Sequence, residues 1–249
     1  MQLSENVRIV EKKPIPSDTL MLYGLPDVGL VGLIATSYIV SELDLEEIAY
    51  VDSDLLPPVV VLHDGLPHAP LRIYGNSSFM AAISEMAIPA AALHPVMRNL
   101  VEWGASKEVK MMISMGGLPV ENRQNIKEPE VFGAASNRDL VTMLRGKQLE
   151  ILKEGFIVGP QALTMRYCAQ RKLSAVALLA QSFYNYPDPE AAAMVIRVLG
   201  KITNLKVDVS KLLEKGEEIR LRARDIMKRT QREMSHMNKS QEYDLPLYV

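Results

Sequence analysis

Cysteine is almost missing from this 249-residue chain, and Cys168 stands alone. One thiol excludes a disulfide framework and any zinc site built on cysteines. Its neighbours suggest a helix, where a buried, inert thiol is expected rather than a nucleophile. An excess of one charge is missing too. Twenty-eight Lys and Arg face thirty Asp and Glu, a formal net charge of −2, so the surface as a whole gives no reason to expect nucleic acid or a membrane as partner. Aromatics are sparse, with one Trp and four Phe beside nine Tyr, and fourteen Met help to make an aliphatic, adaptable core. That composition identifies no cofactor. The longest apolar stretch, residues 28–40, is interrupted by Gly and Ser and is too short to span a bilayer. The first sixteen residues lack the apolar core of a signal peptide, so a cytoplasmic protein is expected.

What is present is an alternation of short apolar runs and helical spacing. Residues 1–16 suggest a short strand with a loose lead-in. Residues 19–24 read as a buried strand ending in a turn, followed by a helix over 28–43. Residues 48–51 and 59–62 are short and β-branched, and 71–74 pairs with 79–83 across the Gly75-Asn76 turn. A helix is expected over 89–103, with Pro95 marking either its true start or a kink. A buried strand over 109–115 should be halted by Gly116-Gly117. Further along come a short helix over 137–144, a strand over 155–158, a helix from Pro160 to about 171, a last strand over 173–180 and a helix over 189–203. Strands alternating with helices predict an α/β domain with a largely buried sheet.

Beyond residue 204 the composition shifts. Leu205, Leu212, Ile219 and Ile226 recur every seventh residue, Gly216 interrupts the seam, and 205–239 holds ten Lys or Arg against six Asp or Glu. One or two amphipathic helices are expected, laid on the chain's own domain, with a coiled-coil contact to another subunit as the alternative. The division predicted is 1–204 as the α/β domain, 205–239 as a helical extension and 240–249 as a tail. That tail is polar and acidic through Glu242 and Asp244, then ends Leu-Pro-Leu-Tyr-Val. A hydrophobic residue, a penultimate Tyr and a free carboxylate resemble the HbYX ending with which activators and assembly factors enter pockets of the proteasome α-ring. Leu247 would fill a hydrophobic notch. Tyr248 would add buried area and a directional hydroxyl bond, and the Val249 carboxylate would meet a basic side chain.

Between the first buried strand and its helix runs Gly24-Leu-Pro-Asp-Val-Gly-Leu-Val-Gly32. Helix N-termini after strands can hold phosphate, which makes Gly24, Asp27, Gly29 and Gly32 a candidate ligand loop. The spacing matches neither G-x-G-x-x-G nor a P-loop, and glycines serve tight turns and close packing equally well. This run, the following helix, then Val51-Asp-Ser-Asp-Leu-Leu-Pro-Pro58 and Met115-Gly-Gly-Leu-Pro119, resemble the proteasome assembly chaperone (PAC) family over most of 15–204. The resemblance implies a phosphorylase-like α/β fold, a buried mixed sheet flanked by helices, generally without catalysis. It also implies self-association or pairing with a paralogue.

The enzyme alternative rests on the acids Asp27, Asp52, Asp54 and Glu85 and the bases His63, His68 and His94. Neighbours His63 and Asp64 point to opposite sides of a strand. Asp52 and Asp54 share a side where a metal would fit, although loop carboxylates more often cap turns. Ser174 and Ser182 have no base visible in sequence, and no HExxH, GxSxG, CxxC or EF-hand pattern occurs. The expectation is therefore a non-enzymatic homo-oligomer that docks on the proteasome core particle, without metal or cofactor. A nucleoside- or phosphate-binding protein or enzyme using the glycine loop is the alternative.

Overall fold

A computed structural model describes residues 7–236. The chain runs β1 (Arg8–Glu11), β2 (Leu20–Gly24), α1 (Val31–Glu42), β3 (Glu46–Asp52), β4 (Val61–His63), β5 (Leu66–His68), β6 (Leu71–Gly75), β7 (Phe79–Ser84) and α2 (Ala90–Ser106). It continues through β8 (Met111–Pro119), β9 (Val131–Ala135), α3 (Arg138–Gly146), β10 (Glu150–Ile151), α4 (Pro160–Gln170), β11 (Ala175–Ser182), α5 (Pro189–Thr203), α6 (Ser210–Glu214) and α7 (Gly216–His236).

Nine strands form one mixed sheet in the order β1-β3-β6-β7-β2-β8-β11-β9-β10, while β4 and β5 make a separate hairpin. Its centre, β7-β2-β8-β11, is parallel. Such strands are buried on both faces, which is why they read as continuous apolar runs. Alternate residues serve opposite faces. Leu22, Ile113, Met115 and Leu178 pack with α1 and α5, and Met21, Tyr23, Met80 and Met112 pack with α2 and α4. This is the α/β architecture expected, a buried mixed sheet flanked by helices with a helical C-terminal part.

Several boundaries differ from expectation. The first helix begins at Val31, because Gly29 and Leu30 both take positive φ (59° and 51°) and set a 3-10 turn ahead of it. Strand β8 is not halted at Gly116-Gly117 but runs on to Pro119, pairing with β11 from Met112 to Pro119. The paired glycines let neighbouring elements press on the strand instead of ending it. Residues 155–158 form no strand, and Phe156 is exposed. Strand β9 takes the place next to β11, with β10 at the edge. Pro95 lies inside α2, which starts at Ala90.

Helix α7 is laid on the domain along a seam offset from the seven-residue spacing, whose Ile219 and Ile226 are half-buried. Ala223, Met227, Thr230 and Met234 are buried along one side. Arg220 bonds Glu190 at the start of α5, and the Glu233 carboxylate accepts from Ala90 N–H at 3.0 Å. Burial pushes the Glu190 pKa up, but the hydrogen bond and charge of Arg220 outweigh it and hold the carboxyl below its ordinary range. A carboxyl depressed in the folded state stabilises above its unfolded pKa, and that contribution is lost as pH falls through the folded value. Wild type should therefore exceed Glu190→Gln by at most about 1 kcal/mol at pH 6, the pair being partly exposed. Urea midpoints should converge for the two proteins in acid.

Candidate functional site

The glycine loop closes on itself at the carboxyl end of β2. Asp27 O accepts from Leu30 N–H at 2.9 Å, and Gly29 O accepts from Asp188 N–H at 2.9 Å. Gly29 needs its positive φ, and a Cβ there would also stand 2.0 Å from Ser182 Oγ. Gly32 is required by proximity, since a Cβ would lie 2.2 Å from Met115 O on β8. Gly24 faces Thr36 on α1 in the same way. Residues 21–36 are buried without a break, Asp27 among them. The gap between Pro26, the start of α2 and Met234 of α7 measures about 10 Å³, at the lower limit for a single water. For a phosphate group to reach the loop from that side, the end of α7 would have to move.

Next to this turn lies an ion pair that the residue spacing did not reveal. Arg123 holds Asp188 through two bonds, Nε to Oδ2 at 2.7 Å and Nη2 to Oδ1 at 2.8 Å, with both side chains buried. Arg123 also donates to Ile126 O at 2.6 Å and stacks on Phe183. Asp188 caps α5 by accepting from Ala191 N–H and takes a further bond from Phe183 N–H. The Asp188-Pro189 start of a helix was the available signal. Its partner, 65 residues earlier, had none.

Apart from Asp27 in the glycine loop, the candidate acids and bases fall into three places. His63, His68 and Glu85 come together beneath the β4-β5 hairpin with Glu47 and Arg72, which the sequence reading missed. Arg72, nearly buried, bonds Glu85 and meets His63 Nε2 at 2.8 Å, and His68 Nδ1 lies 3.1 Å from Glu47, which also pairs with Lys12. Burial works to raise the Glu47 pKa, yet bonds from Lys12 and His68 and the charge of Arg72 leave it lowered. A carboxylate held down in this way is a poor proton acceptor at neutral pH. The cluster instead fastens the hairpin to the sheet. Asp52 pairs with Arg8 at the sheet edge, and Asp52 and Asp54 both line an open cavity of about 830 Å³ under the hairpin. His94 bonds the Tyr167 hydroxyl at 2.9 Å across α2 and α4, remote from those groups.

Cys168 is buried as expected. Its Sγ lies 3.3 Å from Met112 Sδ, and burial raises its pKa to about 12. Among the described residues no group of His, Cys, Asp and Glu is arranged to hold a metal, and no helix is long and apolar enough to cross a membrane. The hairpin itself is apolar and outward-facing, with Val60, Leu62 and Leu66 63%, 66% and 64% exposed. Leu247, Tyr248 and Val249 lie outside the described residues.

Known proteins share this fold. PbaA of Pyrococcus furiosus, described as an archaeal homolog of proteasome-assembly chaperone, superposes with a TM-score of 0.85 at 30% identity, over 91% of this chain and 98% of that one. PbaB of the same organism, described as an archaeal proteasome activator, shares the fold with a TM-score of 0.76 at 22% identity, covering 90% and 99% of the two chains. An uncharacterised protein of Methanocaldococcus jannaschii is 28% identical over 98% of this chain and 99% of its own. The sequence model of the PAC2 family matches residues 21–227, from β2 through the glycine loop and every strand of the sheet except β1 into α7, and on that match the chain belongs to the PAC2 family.

Proposed function

We propose that this chain is a non-enzymatic proteasome-binding protein, an assembly chaperone or activator, which docks its C-terminal residues into pockets of the α-ring. The observation that carries the reading is the 30% identity to PbaA over nearly the full length of both chains. The ending Leu247-Tyr248-Val249 supplies the docking chemistry. Leu247 and the Tyr248 ring bury apolar area in an inter-subunit pocket, the Tyr248 hydroxyl adds a directed bond, and the Val249 carboxylate pairs with a basic side chain there. Binding of this kind breaks and forms no covalent bond. The arginine-paired carboxylates and the buried thiol support a role outside catalysis.

One tail of this size binds weakly. Several tails on a homo-oligomer gain avidity where their spacing matches the pockets, and the exposed Val60, Leu62 and Leu66 offer apolar surface for contact between copies.

The test is binding of wild type and Tyr248→Ala to immobilised archaeal core particles at low salt. Loss of a buried aromatic anchor should weaken binding by about 2 kcal/mol or more, roughly thirtyfold. Equal binding by both proteins would move the interface onto the α/β domain. Binding by neither would refute the reading for that core particle.

A further inference from the structure

An open groove of about 660 Å³ runs between α1 and α7. Ile34 and Tyr38 form one wall, and Ile219, Ala223 and Ile226 form the other. Half of its lining is aliphatic, His63, Arg72 and Glu85 of the hairpin cluster close one end, and Ser37 of α1 and Arg222 of α7 are exposed at the rim. Aliphatic surface left open beside a folded core calls for an occupant. Two of the residues at seven-residue spacing, Ile219 and Ile226, face this groove and are only half-buried.

The chain carries a segment of matching chemistry. Residues 242–248 read Glu-Tyr-Asp-Leu-Pro-Leu-Tyr, two carboxylates followed by apolar side chains. Helix α7 as a whole holds six Lys or Arg against four Asp or Glu, and of the six, Arg222, paired with Glu218 on its own helix, lines the groove. The lengths agree as well. From Ile226 to the helix end at His236 is ten residues, about 15 Å at the helical rise. The twelve residues from Met237 to Tyr248 span up to about 40 Å when extended. The chain can therefore reverse after α7 and reach back along it with length to spare.

We propose that residues 242–248 dock in cis into the α1–α7 groove, where Leu245, Leu247 and Tyr248 cover its aliphatic walls and Glu242 and Asp244 meet the basic α7. The groove is then an internal receptor that withholds the docking residues until a partner competes for them. This rests on the proteasome-docking reading for its consequence, though not for the groove contact itself.

A disulfide trap tests it in the full-length chain. Ser37→Cys combined with Leu247→Cys places one thiol at the rim and one in the segment. Native Cys168, buried against Met112, stays silent. Under mild oxidation the pair should close within one chain at least tenfold faster than a control of Lys153→Cys with Leu247→Cys, since Lys153 follows β10 at the far edge of the sheet. A rate equal to the control overturns the proposal, and so does a disulfide-linked dimer, which would assign the groove to a neighbouring copy.

The rim variant Ser37→Trp fills the groove from an exposed position. If the segment is docked nine-tenths of the time, freeing it raises core-particle affinity about tenfold, and unchanged affinity overturns the withholding role. The cross-link needs no core particle, so the two readings fail separately. Tyr248-dependent binding without a cross-link refutes the groove alone. A cross-link without such binding refutes the docking reading alone.

Discussion

Asp188→Ala should destabilise this protein by about 3–5 kcal/mol, the range for breaking a buried ion pair from one side. Asp188 takes bonds from Arg123 twice, from Ala191 N–H and from Phe183 N–H. Its removal leaves a buried guanidinium without its counter-charge, and the first turn of α5 without its cap. Arg123 also ties the segment after β8 through Ile126 O, so the loss reaches three connections at the carboxyl end of the sheet. Urea midpoints report the size of the effect. Asp188→Asn should fall between the two, keeping the capping oxygen while losing the charge. The double variant Arg123→Met, Asp188→Asn should recover part of the loss, because no bare charge then remains inside. A single Asp188→Ala that costs less than about 1 kcal/mol would show that water reaches this pair in solution.

Gly32→Ala is the second large effect. The added Cβ would stand 2.2 Å from Met115 O and 3.0 Å from Met115 C, both backbone atoms of a central strand. No side chain can rotate aside to relieve that contact. Either α1 lifts from β8 or the sheet bends. Overpacking of this kind costs about 1–3 kcal/mol, and the upper end is expected where both neighbours are rigid. Gly146→Ala at the end of α3 is the matched control, because nothing lies within 4 Å of its Cβ; there helix propensity should make the change neutral or stabilising by up to about 1 kcal/mol. The pair of variants separates two reasons for glycine in this loop. If Gly32 served only the approach of an anion, Gly32→Ala would fold with wild-type stability.

The elements most legible in sequence were those whose signal is local. Helix α5 begins at Pro189, as the Asp-Pro step before an alanine-rich run indicates, and β2 is a short apolar run closed by Gly24. The hairpin of β6 and β7 followed from apolar strands around Gly75-Asn76. Strand β9 escaped notice because Val131-Phe-Gly-Ala-Ala135 is short, small and interrupted by glycine. It is a strand because β11 offers it an edge, and that partner is more than forty residues away. Residues 155–158 erred in the opposite direction, having β-like composition but no strand to pair with. The same division holds at the candidate site. The glycines of the loop stood out at once, while what they pack against, Met115 on β8 and Ser182 on β11, is a matter of tertiary contact. Arg72 and Glu47 had no local mark at all, since they meet only through neighbouring antiparallel strands.

The strand order carries a consequence for synthesis. Strand β8 leaves the ribosome well before β11, yet β11 occupies its outer flank and, among the described residues, joins the sheet centre to β9 and β10. Until residue 182 has emerged, β8 has one open edge, and residues 131–151 have no place in the sheet. A nascent chain halted in this interval displays the apolar, unpaired rim of β8, a template for joining another unfinished chain. Completion of β11 seals that rim and admits β9 and β10 in one step, so the second half of the domain is gained late and together.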